Sequence, residues 1–141
     1  KSLAVSNFSP EQLDCLLSGG TKTVPVVNQL PYSVDGYDPS AVEENKKRGI
    51  VVQAWSPLGS GRLSNPSSQA CKEIGKKYGK SVAQVALRWI VQTGATFTTQ
   101  SKSREHFTED LDIFDFSLTD EEMRKLSSIS GSPEAQLDAF A

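Results

Sequence analysis

The sequence predicts an α/β fold built on a parallel sheet, and three observations carry that expectation. Four short apolar runs alternate with stretches of helical periodicity, no hairpin signal joins one run to the next, and every run turns polar where its following helix opens. Crossovers of this kind bring all the polar strand ends to one side of the sheet. Both a (β/α) barrel and a three-layer open sheet satisfy the pattern, the first gathering those ends around a rim and the second only near its switch point.

The first run, residues 1–8, closes on Ser6 and Asn7. Ser9 then supplies a helix N-cap, Pro10 suits the first helical position and Gln12 completes a capping box. Leu13, Leu16 and Leu17 form the buried stripe, and Gly19-Gly20 ends it. A second run at 25–30 ends in Asn28 and Gln29, and Asp38-Pro39 opens a helix that stops at Gly49. The third run, at 50–55, is β-branched at Ile50, Val51 and Val52 and halts at Ser56-Pro57-Leu58-Gly59-Ser60-Gly61.

A charged helix at about 68–78 carries Cys71, Ile74 and Tyr78 on one face. Ser81 caps a stronger helix in which Val82, Val85, Ala86, Trp89 and Ile90 follow helical spacing up to Gly94. The fourth run, at 95–100, precedes Ser101-Lys102-Ser103-Arg104 and a helix at 104–111. Thr119 and Glu122 then form a further capping box, feeding a stripe of Met123, Leu126 and Ile129.

Chemistry concentrates at the polar strand ends. Small residues after the third run let a backbone approach a phosphate closely, and serine hydroxyls with free N–H groups supply donors, so pyrophosphate binding is the functional reading of that turn. An ordinary strand-to-loop junction is the other. Ser6, Asn7, Asn28, Gln29, Ser56 and Ser101 are expected on one rim.

Composition narrows the classes. With 37% hydrophobic residues, 23% charged residues and a net charge of −2, the chain reads as a globular piece with no basic footprint for nucleic acid and no apolar run that spans a bilayer. Lys72, Lys76, Lys77 and Lys80 form a local positive face, read as a solvated helix surface rather than a phosphate-tracking patch. One histidine and two scattered cysteines give no metal cluster, and Cys15 and Cys71 are expected to be reduced packing thiols of a cytoplasmic protein.

Several segments together resemble the aldo-keto reductases: AVSNFSPEQL at 4–13, PVVNQ at 25–29, VVQAWSPLGSGRL at 51–63, KKYGKS at 76–81 with VALRW at 85–89, and DIFDFSLTDEEM at 112–123. The resemblance implies a (β/α)8 barrel of TIM type that binds NADPH in an extended form and reduces aldehydes or ketones. No Rossmann fingerprint is then expected. The run from Gly59 to Ser64 offers only its first two glycines.

Only the fifth to eighth strands of such a barrel are matched, and a barrel takes about 250 residues. Residues 1–141 are therefore expected to be the C-terminal, cofactor-binding half. The family's catalytic aspartate, tyrosine, lysine and histidine belong to the unmatched half, so no catalytic residue is assigned here, and none of Tyr32, Tyr37, Tyr78 and His106 is promoted to that role. Expected partners are a small carbonyl substrate and either the missing half-barrel or a second copy. A non-enzymatic nucleotide-binding subunit or half-barrel assembly module of the same fold is the alternative.

Residue by residue, the resemblance places Ser6, Asn7 and Gln29 against the nicotinamide carboxamide, whose donor and acceptor an amide side chain complements. Trp55 takes the position of an aromatic ring stacked on the nicotinamide, while Trp89 is read as core. Ser56, Leu58, Gly59 and Ser60 fall on the pyrophosphate loop. At the adenosine end the family's lysine falls on Gln100 and its arginine on His106, with Ser101, Glu109 and Asp110 nearby. Two cations are thus missing where a 2′-phosphate would need them. Lys102 and Arg104 are the substitutes if the loop is re-registered, and solvated loop charges otherwise. NADPH is the expected cofactor, with NADH or dual use open.

Overall fold

The computed structural model describes residues 1–59 and 63–129. Four strands, β1 (Ala4–Ser6), β2 (Val27–Pro31), β3 (Val51–Trp55) and β4 (Thr96–Phe97), form one sheet in the order β1-β2-β3-β4. All three pairings are parallel, as the alternation of elements requires. The connecting helices are α1 (Pro10–Ser18), α2 (Ala41–Lys47), α3 (Asn65–Tyr78) and α4 (Val82–Gln92), and α5 (Arg104–Leu111) and α6 (Asp120–Ile129) follow β4.

The capping boxes predicted at Ser9 and Ser81 are both formed, each serine accepting from a backbone N–H three residues on and each Gln side chain accepting from the cap. Two helix starts differ from the sequence reading. Helix α2 begins at Ala41 because Asp38 spends its carboxylate on a turn, accepting from the Ser40 N–H and hydroxyl at 2.8 and 2.7 Å. Helix α3 begins at Asn65, earlier than 68, since Pro66 lies within the first turn, where no N–H is needed. Its N-cap Ser64 is tied to the Asp35 carboxylate by backbone and hydroxyl, both at 2.7 Å.

Strand β4 is also shorter than expected. Its ladder has two residues, although the Thr98 N–H still donates to the Ala54 carbonyl at 2.9 Å before Thr99 and Gln100 leave the sheet.

Alternation along β3 divides the sheet. Val52 and Ala54 are buried against the helices, while Val51 and Trp55 are exposed on the opposite face, 44% and 37% accessible. The core lies between sheet and helices, with Ala70, Cys71 and Ile74 of α3 against Val85, Ala86, Trp89 and Ile90 of α4. Leu87, outside the predicted stripe, is buried as well, because α4 is flanked by both α3 and α5. Trp89 sits at the centre, stacked on Tyr32 at 5.6 Å, edge-on to Tyr37 at 4.9 Å, with its N–H donating to Ser127 Oγ at 3.1 Å.

Three surface expectations need correction. Cys71 is a packing thiol, pushed up to about 12 by burial and then by the nearby Asp35 charge, but Cys15 is exposed on α1. Of the four lysines read as a solvated face, Lys72, Lys76 and Lys77 are exposed, Lys77 while paired with Glu122, and only Lys80 departs, drawn in between Asp112 and Asp115 at 2.8 Å from each. Asn28 does not join the rim. It is fully buried on the helix side, donating to Phe8 O at 2.9 Å and to Asn45 Oδ1 at 3.0 Å.

Glu122 locks α6 onto α3. Burial opposes its ionisation, yet bonds from the Thr119 N–H, the Tyr78 hydroxyl and the Lys77 ammonium outweigh it and hold the carboxyl down at about 2. A pKa lowered by folding adds stability that is present above the ordinary carboxylate pKa and is lost as pH falls toward the folded value. Glu122→Gln is therefore expected to lower stability at neutral pH and to flatten the acid limb between about 4.5 and 2. Urea unfolding across that range measures it, and an acid limb parallel to wild type would refute it.

Candidate functional site

The rim is made where β1 and β3 end. Asn7 and Ser56 have φ of 59° and 51°, a left-handed backbone that costs a non-glycine residue of order 1–3 kcal/mol and turns the chain off the sheet. Asn7 still donates its N–H to the Gln29 carbonyl at 2.8 Å, and the Ser6 hydroxyl donates to the same oxygen at 3.2 Å. After β3, the Gly59 N–H donates to Ser56 O at 2.9 Å, closing a four-residue turn with Pro57 at its second position.

Register places Ser6, Gln29, Gln53 and Thr96 at one level of the sheet. Gln29 Nε2 donates to Gln53 Oε1, and one step nearer the rim the Trp55 indole N–H donates to Asn7 Oδ1 at 3.1 Å. Gln53 was not singled out in the sequence. Its signal was available, since it lies two residues before Trp55 and so shares its face.

Two cavities meet at the turn, both lined by Ser56 and Gly59. The larger, about 1180 Å³, also takes in Asn7 and Trp55 and is walled by Phe8, Tyr32, Tyr37 and Leu63. The smaller, about 630 Å³, brings Ser56, Leu58 and Gly59 together with Gln100, Ser101, His106, Glu109 and Asp110. Thr98 and Thr99, missed in the sequence, complete that wall. Burial raises the Asp110 carboxyl pKa, opposed by its bond with Thr99; the neighbouring Glu109 charge pushes the same way as burial, and His106 against it.

Other expected residues stand apart from the cavities. Ser6 and Gln29 lie on the open sheet face just below the rim, and Lys102 and Arg104 are exposed, outside the lining of either cavity. Ser60 falls outside the described residues. Among the described residues, no lysine or arginine lines the smaller cavity, and no group of acidic, histidine and cysteine side chains could hold a metal ion. No helix is long and apolar enough to cross a membrane, again among the described residues.

The model of the aldo/keto reductase family matches residues 1–130. The chain belongs to the aldo/keto reductase family. Among curated relatives it is similar to the NAD(P)H-dependent 6'-deoxychalcone synthase of Glycine max, 40% identical over 94% of the chain and 43% of that protein. It is also 37% identical to the D-galacturonate reductase of Fragaria ananassa over 92% of the chain and 42% of that protein. Two solved structures share the fold: apo Gox0644, with a TM-score of 0.84 and 32% identity, and the Bombyx mori aldo-keto reductase in complex with NADP, with 0.82 and 29%. These alignments cover 94% and 91% of the chain but 48% and 44% of those proteins. The chain thus spans less than half the length of the relatives it matches, and its parallel sheet with alternating helices is part of a (β/α) barrel.

Proposed function

We propose that the chain is the C-terminal, cofactor-binding half of an NAD(P)H-dependent carbonyl reductase, with the extended cofactor lying across the turn at Ser56–Gly59. One observation supports it above the others: two cavities converge on a glycine-containing turn at the strand ends, one edged by an amide and an indole, the other by polar groups of β4's loop and α5. The amide-lined end suits a nicotinamide carboxamide, the turn a pyrophosphate, and the Gln100–Asp110 end an adenosine.

NADPH is the cofactor of this reading, with weak discrimination against NADH. Gln100 and His106 line the adenosine end where cations would be needed, and the exposed Lys102 and Arg104 stand outside it. The substrate is a small aldehyde or ketone, reduced in the cytoplasm, where Cys15 and Cys71 stay thiols. The sheet face carrying Val51 and Trp55 is covered by the remaining strands of the barrel.

Hydride addition to a carbonyl leaves an alkoxide that needs a positioned acid. In this reading that acid lies outside residues 1–141, so the pure chain is expected to show no aldehyde-dependent NADPH oxidation, followed by loss of NADPH absorbance. Turnover by the chain alone would overturn the division of labour proposed here.

A further inference from the structure

The Trp55 indole N–H reaches past β2 to Asn7 Oδ1 at 3.1 Å. An indole nitrogen only donates, whereas an amide donates at one end and accepts at the other. The contact therefore exists for one orientation of the Asn7 amide alone, with Oδ1 toward Trp55 and Nδ2 turned away. No described residue accepts from that Nδ2. The left-handed backbone at Asn7 and its N–H bond to Gln29 O fix where the side chain starts, which leaves the amide's orientation as the remaining freedom. Gln29 and Gln53 impose no such choice on each other, because either amide can be the donor.

Building on the nicotinamide role proposed above for Asn7, we propose that Trp55 is a positioning residue that acts through Asn7: its N–H locks the amide so that Nδ2 faces the cofactor's carboxamide oxygen. Any flat ring can lie against a nicotinamide. A single directional donor is what a phenyl or phenol at this place would lack or leave undetermined.

The test is a double-mutant cycle in the protein as expressed from its gene, read as the dissociation constant of NADPH. Trp55→Phe keeps a flat ring and removes the N–H, and Asn7→Gly removes the amide while accepting the left-handed backbone. Trp55→Phe is expected to weaken NADPH roughly three- to tenfold in the wild-type background and less than about twofold beside Asn7→Gly. Equal losses in both backgrounds, or none in either, would overturn the lock and leave the cofactor reading standing. Absence of NADPH binding by the wild-type protein would instead overturn the cofactor reading. NMR of the cofactor-free protein gives an independent check: the Trp55 indole proton should move upfield in Asn7→Gly while that of Trp89 stays. An unmoved Trp55 resonance counts against the lock whatever the variants' affinities.

Discussion

Replacing Trp89 with alanine is expected to destabilise the fold by about 3–5 kcal/mol, the range for removing a large aromatic side chain from a close-packed core. Trp89 is fully buried, touches the rings of both Tyr32 and Tyr37, and donates to Ser127 Oγ, so it joins α4, the loop after β2 and α6 in one contact. Trp89→Phe should cost less, because a phenyl ring still packs beside Tyr32 while the indole's second ring and its N–H are lost. Denaturant unfolding of the two variants gives the comparison. A loss below about 1 kcal/mol for alanine would mean that the site collapses around the vacancy and that the three elements are held together elsewhere.

Gln100→Lys should tighten NADPH selectively, by about tenfold to a hundredfold. That range corresponds to roughly 1.5–3 kcal/mol for a restored charge-assisted contact. The substitution places a cation in the wall of the smaller cavity, where the described lining has the Glu109 and Asp110 carboxyls, His106, and no lysine or arginine. If Lys102 or Arg104 already served a 2′-phosphate, wild type would favour NADPH strongly and Gln100→Lys would add little. Lys102→Ala or Arg104→Ala would then lower NADPH affinity while sparing NADH. Titrating both cofactors against these variants separates the two arrangements. Equal changes for NADH and NADPH would defeat both, since NADH has no 2′-phosphate to contact.

Element type and order were legible in the chain because helix starts and stripes announce themselves locally. Ser9 and Ser81 cap where their spacing to Gln12 and Gln84 says they should, and Leu13, Ile90 and Leu126 are buried where periodicity puts them. What stayed hidden was settled at a distance. Asp38 could open α2 by sequence, but its carboxylate is engaged by Ser40, and the burial of Asn28 depends on Asn45 and Phe8, which no periodicity connects to it.

The site divides in the same way. Asn7, Trp55, Ser56 and the Gln100–Asp110 wall could be named from strand ends and family resemblance. The bond between Asn7 and Trp55 spans 48 residues and needs the parallel register to bring its partners together. Lys102 and Arg104 show the opposite case, chemically apt in the sequence but exposed, one in the loop before α5 and the other at its first residue.

The left-handed residues that end β1 and β3 also bear on how such a surface changes over generations. At Asn7 and Ser56 the backbone filters replacements before any ligand does. Glycine passes at both places, and asparagine or aspartate pass with a tolerable penalty. Valine, isoleucine and threonine are turned back by their branched Cβ. Drift at these two positions therefore runs through a corridor of small, polar residues whether or not a cofactor is bound. Persistence of an asparagine there records the shape of the chain first, and its ligand second.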